Sequence, residues 1–135
     1  MADWNAKIIE EFRTNEGRVG GMFEGHPILL LHHAGAKTGT PRVNPLAYQP
    51  LDGDRWAVFG SKGGAPTNPD WYHNLIAHPD VAIEVGTDTI DVTARIAEGE
   101  ERTGIWEKQK KLMPGFAGYE LKTVRQIPVV ILERR

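Results

Sequence analysis

Three cations stand in or beside glycine-containing segments of this sequence. Lys37 lies within Gly35-Ala36-Lys37-Thr38-Gly39, Arg42 follows it closely, and Lys62 lies within Gly60-Ser61-Lys62-Gly63-Gly64. Turns of this kind present backbone N–H groups in concave arrays that suit phosphate or carboxylate oxygens, and a nearby Lys or Arg adds charge. If the two segments meet in space, they form an anion site. Each hydrogen bond to a charged partner is worth about 1.5–3 kcal/mol, so a few suffice for a tight ligand. The plainer alternative is that Lys and Gly serve only solubility and hairpin geometry.

Other chemistries fit less well. A Walker A lysine follows one glycine and has another five residues before that, whereas those places here hold Ala36 and Leu31. The Gly60 to Gly64 segment does not fit the dinucleotide pattern G-x-G-x-x-G. His32 and His33, adjacent on a strand, face opposite sides, while His73 and His78 share no helix face, so no metal site is expected. No Ser/His/Asp arrangement stands out. The formal charge of -2 gives no field that would gather nucleic acid, so an anionic ligand must be held by local clustering. Zero cysteines are compatible with a reducing cytosol. The longest apolar run, Ile28 to Leu31, is too short to span a bilayer, and the start lacks a basic segment followed by an apolar stretch. A cytoplasmic protein without an integral membrane segment is expected.

The elements that must position these residues read as one domain over residues 1–135, a size that can bury its own core. Residues 1–17 hold an amphipathic helix, capped by Asp3, ended by Gly17, with Trp4, Ile8, Ile9 and Phe12 on one side. That face packs on the chain's own domain, or on a dimer partner or a membrane surface. Strands are expected from Pro27 to Ala34, Arg42 to Gln49, Arg55 to Gly60, Val81 to Val85, Thr89 to Ile96 and Ile127 to Leu132. Asn68-Pro69 opens a short helix as cap and first residue, and another helix runs from about Gly99 to Leu112 before Pro114-Gly115 and a short piece carrying Phe116 and Tyr119. Tight turns between successive strands leave no room for parallel crossovers. The fold class is α+β, an antiparallel barrel-like sheet of six strands with three or four short helices.

Four stretches, in order, resemble the motifs of the deazaflavin-dependent nitroreductase family: Thr38 to Leu46, Gly60 to Gly64, Asn68 to Leu75, and Arg125 to Val130. The resemblance covers nearly the whole chain. It implies a split β-barrel of the FMN-binding type with coenzyme F-420 in a groove beside the sheet. It implies that Lys37, Thr38 and Arg42, with Lys62, contact the phosphate and acidic tail of the coenzyme. Asn44, Pro45, Ser61, Gly63, Trp71 and Asn74 would line the deazaflavin ring, and Gly39, Val43, Gly60 and Gly64 belong to the same coenzyme-binding motifs. Members pass a hydride to quinones, nitroaromatics or unsaturated lactones such as aflatoxins and coumarins.

Hydride addition to such an acceptor builds negative charge on oxygen, for which Ser61 and Tyr119 are candidate donors. The resemblance leaves acceptor choice open: Ala47 stands where some members carry an aromatic residue, and Tyr119 is the only phenol between Phe116 and Lys122. Alternatives are the same fold using FMN, a non-catalytic deazaflavin carrier, and an interaction module anchored by the first helix. The expected partners are a small-molecule acceptor, no nucleic acid, peripheral membrane contact at most, and a monomer or homodimer.

Overall fold

Ile28, Leu29, Leu30 and Leu31 are all buried, which means that their strand is covered on both faces. In the computed structural model, which describes residues 2–20, 27–61, 67–123 and 125–135, that strand belongs to a closed barrel. The strands are β1 (Ile28–Ala34), β2 (Pro41–Asp52), β3 (Arg55–Phe59), β4 (Asp80–Val85), β5 (Asp88–Ile96) and β6 (Val129–Arg134). Neighbours are antiparallel throughout, in the order β1-β2-β3-β6-β5-β4. Closure leaves no free sheet edge. The helices are α1 (Ala2–Thr14), α2 (Asp70–Ala77), α3 (Gly99–Leu112) and α4 (Gly115–Lys122). The six-stranded antiparallel barrel with four helices is the fold class expected from the sequence.

Because strand side chains alternate, each strand serves two layers. Leu29 and Leu31 point inward to join Trp56, Val58, Ile83 and Leu132, and Trp71 and Leu75 of α2 close one end of that interior. Ile28 and Leu30 point outward onto Ile8 and Phe12 of α1. On the other side of the barrel, Ala57, Phe59, Val129 and Ile131 meet Ile105 and Trp106 of α3 and Phe116 of α4. The Phe59 and Phe116 rings meet edge-on, with centroids 5.6 Å apart. Gln49 is buried against α3, donating to the Ile105 carbonyl at 3.0 Å and to Gln109 at 3.3 Å. Of the expected apolar face of α1, Ile8, Ile9 and Phe12 thus pack on the chain's own barrel, and the Trp4 side chain lies outside those described.

Several boundaries differ from the sequence reading. The first helix begins at Ala2, so Asp3 stands inside its first turn and is not the cap. Its other end is as expected: Gly17 has φ +97° and donates to the Phe12 carbonyl at 2.7 Å. A Cβ there would lie 2.6 Å from Gly86 Cα, so the position requires glycine for space as well as conformation. Pro69, not Asn68, takes the cap position of α2, and no side chain caps that helix. Asn68 Oδ1 instead accepts from Arg125. The last strand starts two residues later than expected, at Val129, because Pro128 has no N–H to donate to a ladder. Among the described residues, no helix is long and apolar enough to cross a membrane.

Candidate active site

The β1–β2 connection and α2 meet at one end of the barrel. Residues 35–40 form a self-bonded turn: Gly35 donates to the Thr40 carbonyl at 2.9 Å, Gly39 to the Gly35 carbonyl at 2.8 Å, and Thr40 to Thr38 Oγ1 at 3.2 Å. A Cβ on Gly35 would lie 2.7 Å from Thr38 Oγ1, and Gly39 sits at φ +70°, so both glycines are needed for the turn to close. The Ala36 N–H reaches out of the turn and donates to Asn74 Oδ1 on α2 at 2.8 Å. The amides of Lys37 and Thr38 are left without a partner among the described residues. Of the backbone donors that the sequence suggested for this turn, these two remain available.

A cavity of about 350 Å³ lies here, lined by Ala36, Lys37, Thr38, Arg42, Asp70, His73 and Asn74 among others. Neither Lys37 nor Arg42 forms an ion pair with a described residue. A second cavity of about 320 Å³ shares Arg42 and is lined also by His32, His33, His78 and Asp80. Two cations and two unused amides around an open cavity suit an oxyanion, whereas the Thr38 hydroxyl already donates to Thr40 Oγ1 at 2.9 Å.

Behind the turn lies a polar relay in which His33, which the sequence reading did not place in the site, joins Asn44 and Asn74, which the resemblance did. His33, on the inward face of β1, is 5% exposed. Its Nε2 is 2.7 Å from Asn44 Oδ1 on β2, and its Nδ1 is 3.0 Å from Asn74 Nδ2. Burial holds its pKa below the ordinary value, against the pull of the Asn44 hydrogen bond, and the charge of Arg42 acts in the same direction as burial. The signal in sequence was period 2: Leu29, Leu31 and His33 share one face. His32 points the other way, to Glu84 Oε2 at 2.6 Å, which also receives Arg13 of α1. The opposite orientations expected for this pair are those observed.

Of the residues the resemblance implied, Lys37, Thr38, Arg42 and Asn74 share the first cavity, and Asn44 joins them through His33. Gly39 is exposed at the turn. Val43 packs with the α1 cluster, and Pro45 pairs with Leu30, whose side chain faces α1. Trp71 is 6% exposed, buried in the barrel interior. Tyr119 packs on Phe116 with ring centroids 5.2 Å apart, on the α3–α4 side. Lys62, Gly63 and Gly64 lie outside the described residues.

Gly60 and Ser61 leave the sheet beside the middle of β2, since Val58 pairs with Tyr48. They are held there by Arg125, which donates to the Gly60 carbonyl at 3.0 Å, to Asn68 Oδ1 at 2.7 Å and to the Ser61 carbonyl at 2.8 Å. Burial lowers the Arg125 pKa, but a guanidinium keeps its proton in a protein. One side chain therefore ties the start of the second glycine segment to the start of α2. A Cβ on Gly60 would lie 2.6 Å from Pro128 Cγ, so the strand end seats against the stretch before β6 only without a side chain. No local sequence signal marks Arg125 for this role, because its acceptors are 57 to 65 residues away.

Comparison with known proteins gives the arrangement its context. An F420H(2)-dependent quinone reductase of Mycobacterium tuberculosis is 41% identical over 128 residues, covering 92% of this chain and 85% of its own. A solved structure of an F420-H2 dependent reductase, FDR-A, superimposes with a TM-score of 0.72 at 42% identity, over 79% of this chain and 94% of that one. Another solved chain, described as a domain-swapped dimer, is 37% identical with a TM-score of 0.74 and covers 98% of both chains. The model of the family described as F420H(2)-dependent quinone reductase matches residues 4–134, from the first helix through the last strand and so across both cavities. The chain belongs to the F420H(2)-dependent quinone reductase family, a family of oxidoreductases.

Proposed function

We propose that the chain is a cytoplasmic reductase that uses reduced coenzyme F-420 to reduce a quinone, with nitroaromatics and unsaturated lactones as further acceptors. The observation that carries this reading is the pair Lys37 and Arg42, which lack carboxylate partners among the described residues and line one cavity with the free Lys37 and Thr38 amides. A ligand bearing a phosphate and an acidic chain fits that donor set. The family membership supports the choice of a deazaflavin over other phosphate-bearing groups.

The coenzyme supplies the hydride when bound. In this reading the protein's own tasks are binding, orientation and charge. Lys37, Arg42, Thr38 and the two turn amides hold the phosphate end, and Lys62 adds charge. Asn44 and Asn74 present amide groups on the inward side of the barrel end. The segment from Gly60 to Ser61, clamped by Arg125, sets the wall where Ser61 donates to the oxygen on which charge builds, with Tyr119 of α4 as a second donor. Precise placement of the two reactants is the main contribution, since no nucleophile is needed.

The test is a fluorescence titration with oxidised coenzyme F-420 beside one with FMN, followed by turnover of a naphthoquinone with the reduced coenzyme. Preferential binding of the deazaflavin with quinone turnover is expected. Preferential FMN binding moves the chemistry to ordinary flavin reduction, and tight deazaflavin binding without turnover on quinone, nitroaromatic and lactone acceptors makes the protein a carrier.

A further inference from the structure

The relay behind the turn has only one consistent proton arrangement. A backbone N–H can only donate, so Ala36 obliges Asn74 to present its oxygen there. The Asn74 amide nitrogen, a donor, is then the atom turned to His33 Nδ1. That ring nitrogen must accept and so carries no proton. The imidazole proton therefore sits on Nε2 and is donated to Asn44 Oδ1. Three side chains from β1, β2 and α2 are locked in order by one main-chain amide, and the far end leaves the Asn44 amide nitrogen without a partner among the described residues.

We propose that His33 is the positioning residue of the anion-binding turn: as a neutral imidazole protonated on Nε2, it holds Asn74 in the orientation that receives the Ala36 amide. This rests on the reading of residues 35–40 as the anion site. A protonated His33 sets N–H against N–H at Asn74. Flipping Asn74 to relieve that conflict moves it to Ala36, where the amide again meets a donor. The turn carrying Lys37 then loses its one side-chain tie to α2 among the described residues. The ring is kept neutral first by burial, the charged and titratable groups that act on it being Arg42 from β2 and, from the opposite face of β1, His32, which oppose its protonation, and Asp70 from α2, which favours it.

Two conservative variants separate this role from mere packing. Asn at position 33 can place an oxygen near the Nδ1 position, whereas Gln reaches the Nε2 position. His33→Asn should keep the Ala36 amide protected from hydrogen exchange. His33→Gln should speed that exchange about tenfold, as for the loss of one hydrogen bond, and weaken binding of sulfate, a probe that does not titrate near neutrality, by a similar factor. In the unsubstituted protein, long-range nitrogen NMR should show Nε2 protonated and Nδ1 bare at neutral pH.

Equal Ala36 protection in both variants, or a protonated Nδ1, overturns the proposal, the second without any mutant. Faster Ala36 exchange with unchanged sulfate affinity overturns the link to anion binding; it leaves the relay standing and counts against the anion site itself. Weaker sulfate binding with Ala36 still protected overturns the turn as the route by which His33 acts.

Discussion

The cations at the two ends of the barrel differ in what they touch. Around the Gly53–Asp54 turn, Arg134 meets Asp54 at 2.9 Å and Arg55 meets Asp52 at 2.8 Å, and on the wall between β5 and α3 Arg95 bridges Glu101 and Glu133. At the end closed by α2, Lys37 and Arg42 meet no carboxylate among the described residues, and Arg125, which holds the described start of the second glycine segment, is spent on carbonyls and an amide. A protein gains little from exposed ion pairs, so the paired cations are ordinary surface structure. Unpaired cations converging on a cavity repel one another when the site is empty, and they are useful when an anion arrives. The contrast teaches that charge alone does not mark the site, and neither does the absence of partners, since Lys7, Lys108, Lys111 and Lys122 also lack an ion pair among the described residues; convergence of unpaired cations on one cavity does.

The sharpest way to break the contrast is Arg125→Ala. This removes one charged donor set from two main-chain carbonyls and Asn68, and should cost about 3 kcal/mol of stability, read as a lowered urea midpoint, together with reductase activity. A variant with unchanged stability would show that the clamp is replaceable by water. Next, Arg42→Ala should weaken coenzyme binding about tenfold to hundredfold, as expected for one or two charge-assisted bonds, and should flatten the salt dependence of the dissociation constant. An unchanged constant at low salt removes Arg42 from the site.

Stability against pH sharpens the same comparison. His33 in the unfolded chain takes up a proton near the ordinary value of 6.5, while burial in the folded state holds it out to lower pH. Between those values the unfolded state binds more protons. Stability is therefore full above about pH 6.5 and falls as the pH drops below it. Urea midpoints should show this decline, and His33→Asn should remove it. Glu84, held below its ordinary value first by Arg13 and also by His32, contributes a separate loss at more acidic pH, where α1 loosens. The smallest effect is expected from Arg95→Ala on the paired wall: at most about 1 kcal/mol, with coenzyme affinity untouched. A large loss of affinity there would erase the distinction between the two ends.

Much of the fold was legible before any coordinate. Alternation and turn residues located all six strands to within a few residues, because side-chain period and glycine or proline conformational limits are local properties. The cap of α2 was misread for the same reason: Asn68-Pro69 has the local form of a cap, but Arg125 claims the asparagine oxygen from 57 residues away. The site was legible in part. Glycine turns with Lys37 and Arg42 could be singled out by type and spacing, and Asn44, Ser61, Trp71 and Asn74 came only with the resemblance.

What the sequence determined by itself was the set of elements, the alternation that gives each strand two faces, and the turn that carries Lys37, since each depends on neighbours a few residues apart. Tertiary structure alone decided which cations keep their charge unpaired, that His33 and not His32 enters the relay, and that Trp71 fills the barrel. Those outcomes depend on register between strands and on contacts such as Arg13 with Glu84, 71 residues apart. Local preference carries no information about such distant pairings; closing the barrel creates them.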